Sequence, residues 1–164
     1  MKLLTKVSVL ALLAILSISC STDSINDKAT EMELSLVTPE TKTIEIEILE
    51  QINNHRLSIG LSPLESMEII KSVAFSHTDY MIDTGEVSHY NFFTRSNYLK
   101  ENAGAKEVSE NVAYGYTKAS SVVRAWLRSE GHKATIEGDY TNCDISAEQN
   151  EKGKWYYTNI FIKK

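Results

Sequence analysis

Lys154-Trp155-Tyr156-Tyr157-Thr158-Asn159-Ile160-Phe161-Ile162 decides how this chain folds. Along a strand successive side chains point to opposite faces, so Trp155, Tyr157 and Phe161 point one way while Tyr156, Ile160 and Ile162 point the other. Both faces carry apolar bulk, and both must be covered. Just upstream, Cys143 to Gln149 forms a second run, and Asn150-Glu151-Lys152-Gly153 between them has the composition of a short hairpin loop ending in glycine. Val108 to Tyr114 offers a further strand. A C-terminal β-hairpin with helices on either side predicts an α+β fold, a three-layer α-β-α sandwich around a small, mainly antiparallel sheet.

The helices are read from period and caps. Thr38-Pro39 places a cap before a proline at the first helical position, and Ile48, Leu49, Ile52, Arg56 and Ile59 fall near helical spacing until Gly60. This predicts a helix over 39–58, although the alternation of Ile44, Ile46 and Ile48 leaves a strand open at its start. Ser62-Pro63-Leu64-Glu65 has the form of a capping box, which predicts that a second helix begins there. Met67, Ile70, Ala74, His77 and Met81 then make one apolar stripe that Gly85 ends. His77 lies on that stripe, so it reads as a hydrogen-bonded core histidine. Thr94 to Lys100, closed by Gly104, predicts a short helix, and Thr117 caps another in which Val122, Val123, Trp126 and Leu127 share a face.

The leading segment is an address. Lys2 and Lys6 supply a positive start, and Val7 to Leu16 is an apolar run too short to span a bilayer, so residues 1–19 read as a signal peptide. Leu16-Ser17-Ile18-Ser19-Cys20 resembles the lipobox of bacterial lipoproteins, with Ser17 where leucine is usual. Cys20 is then the expected lipidation site, and an ordinary secretory signal is the alternative. Residues 20–37 are polar and acidic, a flexible tether with a reach of roughly 20 to 25 Å, and residues 38–164 form the folded domain. The expected location is outside the cytoplasm, lipid-anchored in the bacterial envelope. Ser21, standing where an inner-membrane retention signal has Asp, favours the outer membrane or cell surface.

Composition narrows the function classes. The net charge of −5 and the scattered lysines and arginines give a nucleic-acid backbone no basic surface to bind. With Cys20 removed to an anchor, Cys143 has no second thiol to pair with and reads as a packed thiol rather than a nucleophile. HExxH and GxSxG are absent.

Asn53-Asn54-His55-Arg56, Gly60-Leu61-Ser62-Pro63-Leu64, Ala74 with His77 and Met81, Ser88-His89, Arg95, Ser109-Glu110-Asn111-Val112-Ala113 and Trp126-Leu127-Arg128-Ser129-Glu130-Gly131-His132-Lys133 follow one another in order. Together they resemble the bacterial branch of the CAP family, the cysteine-rich secretory, antigen 5 and pathogenesis-related group, over residues 45–162. The resemblance implies an α-β-α sandwich with two histidines and two acidic side chains at the floor of a cleft, where some members bind a divalent metal such as zinc. It places the histidines at His89 and His132 and the first acid at Glu110, with Ser109 where the family has glycine and Lys133 where the bacterial pattern has arginine. Glu130 stands where bacterial members often have proline, and it is either the second acid or a solvated helix-end carboxylate. His55 has no matched role and is expected at the surface.

Three function classes follow. The first is a monomeric binding module whose cleft, lined by His89, Glu110, Glu130 and His132, takes a divalent metal held by His89 and His132, or a small, lipid-like or glycan ligand. The second is a hydrolase acting on amides or esters, with His89 or His132 as general base and Glu110 or Glu130 orienting it. The third is a structural or adhesive envelope protein.

Overall fold

The computed structural model describes residues 36–164. The signal peptide, Cys20 and nearly all of the tether lie outside the described residues. The elements run α1 (Thr43–Ser58), α2 (Glu68–Thr84), α3 (Phe92–Ala103), β1 (Glu107–Tyr114), α4 (Ala119–Arg128), α5 (Glu130–Ile136), β2 (Asn142–Gln149) and β3 (Trp155–Lys163). The sheet has the order β1-β3-β2, and both pairings are antiparallel.

β3 is the central strand, and its two faces organise the core as their alternation requires. Tyr157 and Phe161 join Ala113, Cys143, Ile145 and Ala147 beneath Ile48 and Ile52 of α1, Val122, Val123 and Trp126 of α4 and Ile136 of α5. Ile160 and Ile162 on the other face meet Ile70, Val73 and Ala74 of α2 and Leu99 and Ala103 of α3. Each large apolar side chain buried this way contributes about 1.5–3 kcal/mol. The hairpin loop turns at Gly153 (φ 73°), with Asn150 Oδ1 accepting from the amides of Lys152 and Lys154.

Both helix starts differ from the expectations. α1 begins at Thr43 rather than Pro39, because Glu45 Oε2 accepts from the Lys42 amide at 2.6 Å and fixes the first turn there. Helix wins over the competing strand at this end. α2 begins at Glu68, not at the capping-box sequence Ser62 to Glu65. That segment is extended: Leu64 is buried and its amide and carbonyl bind the Asn53 side chain, while Glu65 pairs with Asn142 beside β2. Asp144 Oδ2 instead accepts from Ser66 Oγ and the Met67 amide at the true entry to α2.

Side chains bond to backbone groups on both outer edges of the sheet. On β2, Glu45 Oε1 accepts from the Ala147 amide at 2.7 Å and Lys71 Nζ donates to the Ile145 carbonyl at 2.8 Å, and the two charged groups form a buried ion pair with each other. On β1, the Trp126 indole donates to the Val112 carbonyl at 3.1 Å. Arg56, also buried, donates to the carbonyls of Ser62, Ile136 and Gly138, tying α1 to the end of α5.

Candidate functional site

Glu110 sits in the middle of β1 and is only 8% exposed. A carboxylate there needs a counter-charge, and α3 supplies one. Arg95 Nε donates to Glu110 Oε2 and Nη2 to Oε1, both at 2.8 Å, a two-pronged charge-assisted contact. Its Nη1 donates to the Tyr90 carbonyl at 2.7 Å and so fixes the loop between α2 and α3. That loop carries His89, whose Nδ1 lies 2.9 Å from Glu110 Oε1.

Because an ionised carboxylate only accepts, His89 Nδ1 is the donor, and the neutral ring then keeps its lone pair on Nε2. The His89 side chain is 50% exposed. His77, buried on α2, donates from Nε2 to the Ser88 carbonyl at 2.7 Å, and the same nitrogen lies 3.8 Å from Glu110 Oε1. It is the bonded core histidine that its place on the apolar stripe predicts.

The electrostatics follow from this packing. Burial is the strongest influence on Glu110 and pushes it toward protonation, but the His89 hydrogen bond and the charge and bonds of Arg95 together outweigh it, so its pKa lies below the ordinary glutamate value. Burial lowers His77, with Arg95 and His89 adding to the effect against the opposing pull of Glu110. His132 on α5 is lowered by burial first and then by the nearby His89. Arg95 thus balances Glu110 at the cleft floor, and His77 and His132 favour the neutral form.

A cavity of about 220 Å³ opens over this floor, lined by His89, Phe92, Ser109, Glu110 and Thr135. An adjacent one of about 350 Å³ is lined by His132 with Val112, Tyr116, Trp126 and Ser129. Asn111 Nδ2 donates to the His132 carbonyl at 3.0 Å and sets that end of α5 against β1. Glu130 is exposed on the first turn of α5, and no hydrogen bond or ion pair joins it to either histidine. His55 is half-buried rather than a bare surface residue, with Nε2 2.8 Å from Glu137 Oε1.

Among the described residues no three His, Cys, Asp or Glu side chains gather to hold an ion. Arg95 engages both oxygens of Glu110, and Oε1 also accepts from His89. Arg95 is the participant with no role assigned from sequence. A buried carboxylate such as Glu110 needs a buried cation, but nothing in the sequence around α3 marks Arg95 as that partner.

Residues 49–161 match the model of the cysteine-rich secretory protein (CAP) family. The chain belongs to the CAP family. This CAP domain is 33% identical over 126 residues to YlbC, a membrane protein of Bacillus subtilis, covering 74% of this chain and 35% of that protein. It is 30% identical over 95 residues to YkwD of the same organism, covering 56% and 37%. The chain thus spans about a third of the length of the curated relatives it matches.

Among solved structures, the CAP domain superposes on an outer surface protein of Borrelia burgdorferi with a TM-score of 0.69 at 21% identity, covering 77% of this chain and 96% of that one. An extracellular protein containing an SCP domain from Bacillus anthracis gives 0.62 at 26% identity, covering 78% and 45%. A cysteine-rich secretory protein of Staphylococcus aureus gives 0.60 at 21%, covering 73% and 38%. The first and third likenesses establish the shared CAP fold.

Proposed function

We propose that this chain is an exported CAP-domain binding module, anchored in the envelope through Cys20, whose cleft takes a small uncharged polar ligand on His89 Nε2. The observation that carries the reading is the clamp beneath His89: Glu110, held on both oxygens by Arg95, fixes the ring through Nδ1 and leaves Nε2 as a preset acceptor. The balanced floor favours a ligand without net charge. Export is supported by the charged start and apolar run of residues 1–19, and by relatives described as an outer surface protein and an extracellular protein.

The test is a small-molecule screen read by the His89 and His132 ring signals in NMR, repeated on His89→Ala. Ligands that move both rings and lose binding in the variant support the reading. A hit list that His89→Ala leaves unchanged removes it.

The same clamp favours a second reading, a hydrolase in which His89 Nε2 takes a proton from water while Glu110 steadies the ring. The nearby hydroxyls are already engaged, Ser109 with the Tyr140 hydroxyl at 2.6 Å and Thr135 with the Gly131 carbonyl at 3.2 Å, which makes water the nucleophile. Turnover of peptide or ester libraries by the wild type, abolished in His89→Ala, selects this reading over simple binding.

A further inference from the structure

Four buried side-chain polar atoms among the described residues have no hydrogen-bond partner, and three of them belong to one pair of residues: Asn111 Oδ1, Asn159 Oδ1 and Asn159 Nδ2. Asn111 on β1 and Asn159 on β3 stand directly opposite each other in the antiparallel register. Opposed residues share a face, and this is the face of Ala113, Tyr157 and Phe161, packed under α4 and α5. Asn111 is 1% exposed and Asn159 0%. The remaining group of the pair, Asn111 Nδ2, donates to the His132 carbonyl.

We propose that Asn111 and Asn159 hold a resident water molecule in the wall between the sheet and α5, directly behind the His132 end of the cleft. Buried amides away from bulk solvent forfeit their hydration unless something replaces it, and native proteins leave such groups unpaired only rarely. The unmet needs are two acceptors and one donor group. Water donates two hydrogens and accepts through its lone pairs, so it meets both kinds. A monatomic cation would satisfy the two oxygens and repel the Nδ2 hydrogens, and an anion would do the reverse. The water joins the central strand to Asn111, whose Nδ2 binds the His132 carbonyl and fastens the first turn of α5 to β1, so it braces that contact from behind.

The inference stands apart from the ligand reading, since it concerns a wall of the cleft and not its opening. Its test is an atomic-resolution crystal structure of the unaltered domain. Ordered solvent density within hydrogen-bond distance of Asn159 and of Asn111 Oδ1 is the expected result, and two amides bonded directly to each other with no density between them overturns it. In solution, magnetisation transfer between water and the Asn159 side-chain amide should carry the sign of a long-lived contact. Its absence, with the Asn159 amide signals resolved, counts equally against the proposal.

Discussion

Arg95 holds both oxygens of Glu110 at 2.8 Å while its third nitrogen holds the Tyr90 carbonyl, so one guanidinium supports the acid of the cleft and the loop that bears His89. The charge that lets a carboxylate sit inside β1 is therefore part of the chain itself. Orientation of His89 depends on a residue that does not touch it.

Removing that cation leaves an uncompensated buried charge. Arg95→Ala is expected to lower unfolding free energy by about 3–5 kcal/mol in urea titrations at neutral pH. Arg95→Lys restores the charge but not the paired geometry, and it should fall between the two. A loss below about 1 kcal/mol for Arg95→Ala, the range of an exposed pair, contradicts the buried clamp.

Acid should weaken the fold in a particular order. His77 and His132 have pKa values below the usual 6.5, so the unfolded chain takes up protons that the native one refuses. Stability is full above that value and declines as pH falls beneath it. Glu110, lowered from 4.5, adds a second loss at more acidic pH, whereas Asp144, raised by burial, works in the opposite sense. The difference between proteins is thus the cleaner measure: His77→Gln, which can still donate to the Ser88 carbonyl, should flatten the decline that begins as pH falls below about 6.5. Identical slopes for the two proteins would assign the first decline elsewhere.

The buried pair of Glu45 and Lys71 gives a test by double substitution. Lys71→Met strands Glu45 and should cost about 3–5 kcal/mol, and adding Glu45→Gln should return a substantial part of it, because the second change removes the stranded charge. Thermal unfolding of the two single variants and the double variant measures the coupling. Simple additivity would mean that the two groups act independently.

Cys143 is fully buried and burial pushes its thiol far up, so it should resist aromatic disulfide reagents in the native domain and react at once in denaturant. Rapid labelling without denaturant would place the thiol in an open site.

Sequence made some parts of this molecule plain and hid others for physical reasons. The double-faced β3 was legible because strand period is local, and its alternation alone required helices on both sides. The start of α2 was misread because Ser62 to Glu65 satisfies every local rule for a helix cap, yet Glu65 finds a long-range backbone partner in Asn142 and the segment stays extended. α5 went unseen: at seven residues it is too short for a period to show. In the cleft, the family resemblance placed His89 and Glu110 in one site, and they lie 2.9 Å apart. Glu130 stands exposed on the first turn of α5, and Arg95 needed the third dimension, since nothing local to α3 announces which carboxylate it will meet.

Bonding Trp126 to one flank of the sheet and Glu45 with Lys71 to the other has a consequence for how copies of the domain meet. A neighbouring strand that drifts against either flank finds these rungs already occupied, one by an indole and the others by charges it would have to displace. Edge-to-edge pairing between copies therefore meets an obstacle on each flank, which works against the domain seeding its own aggregate.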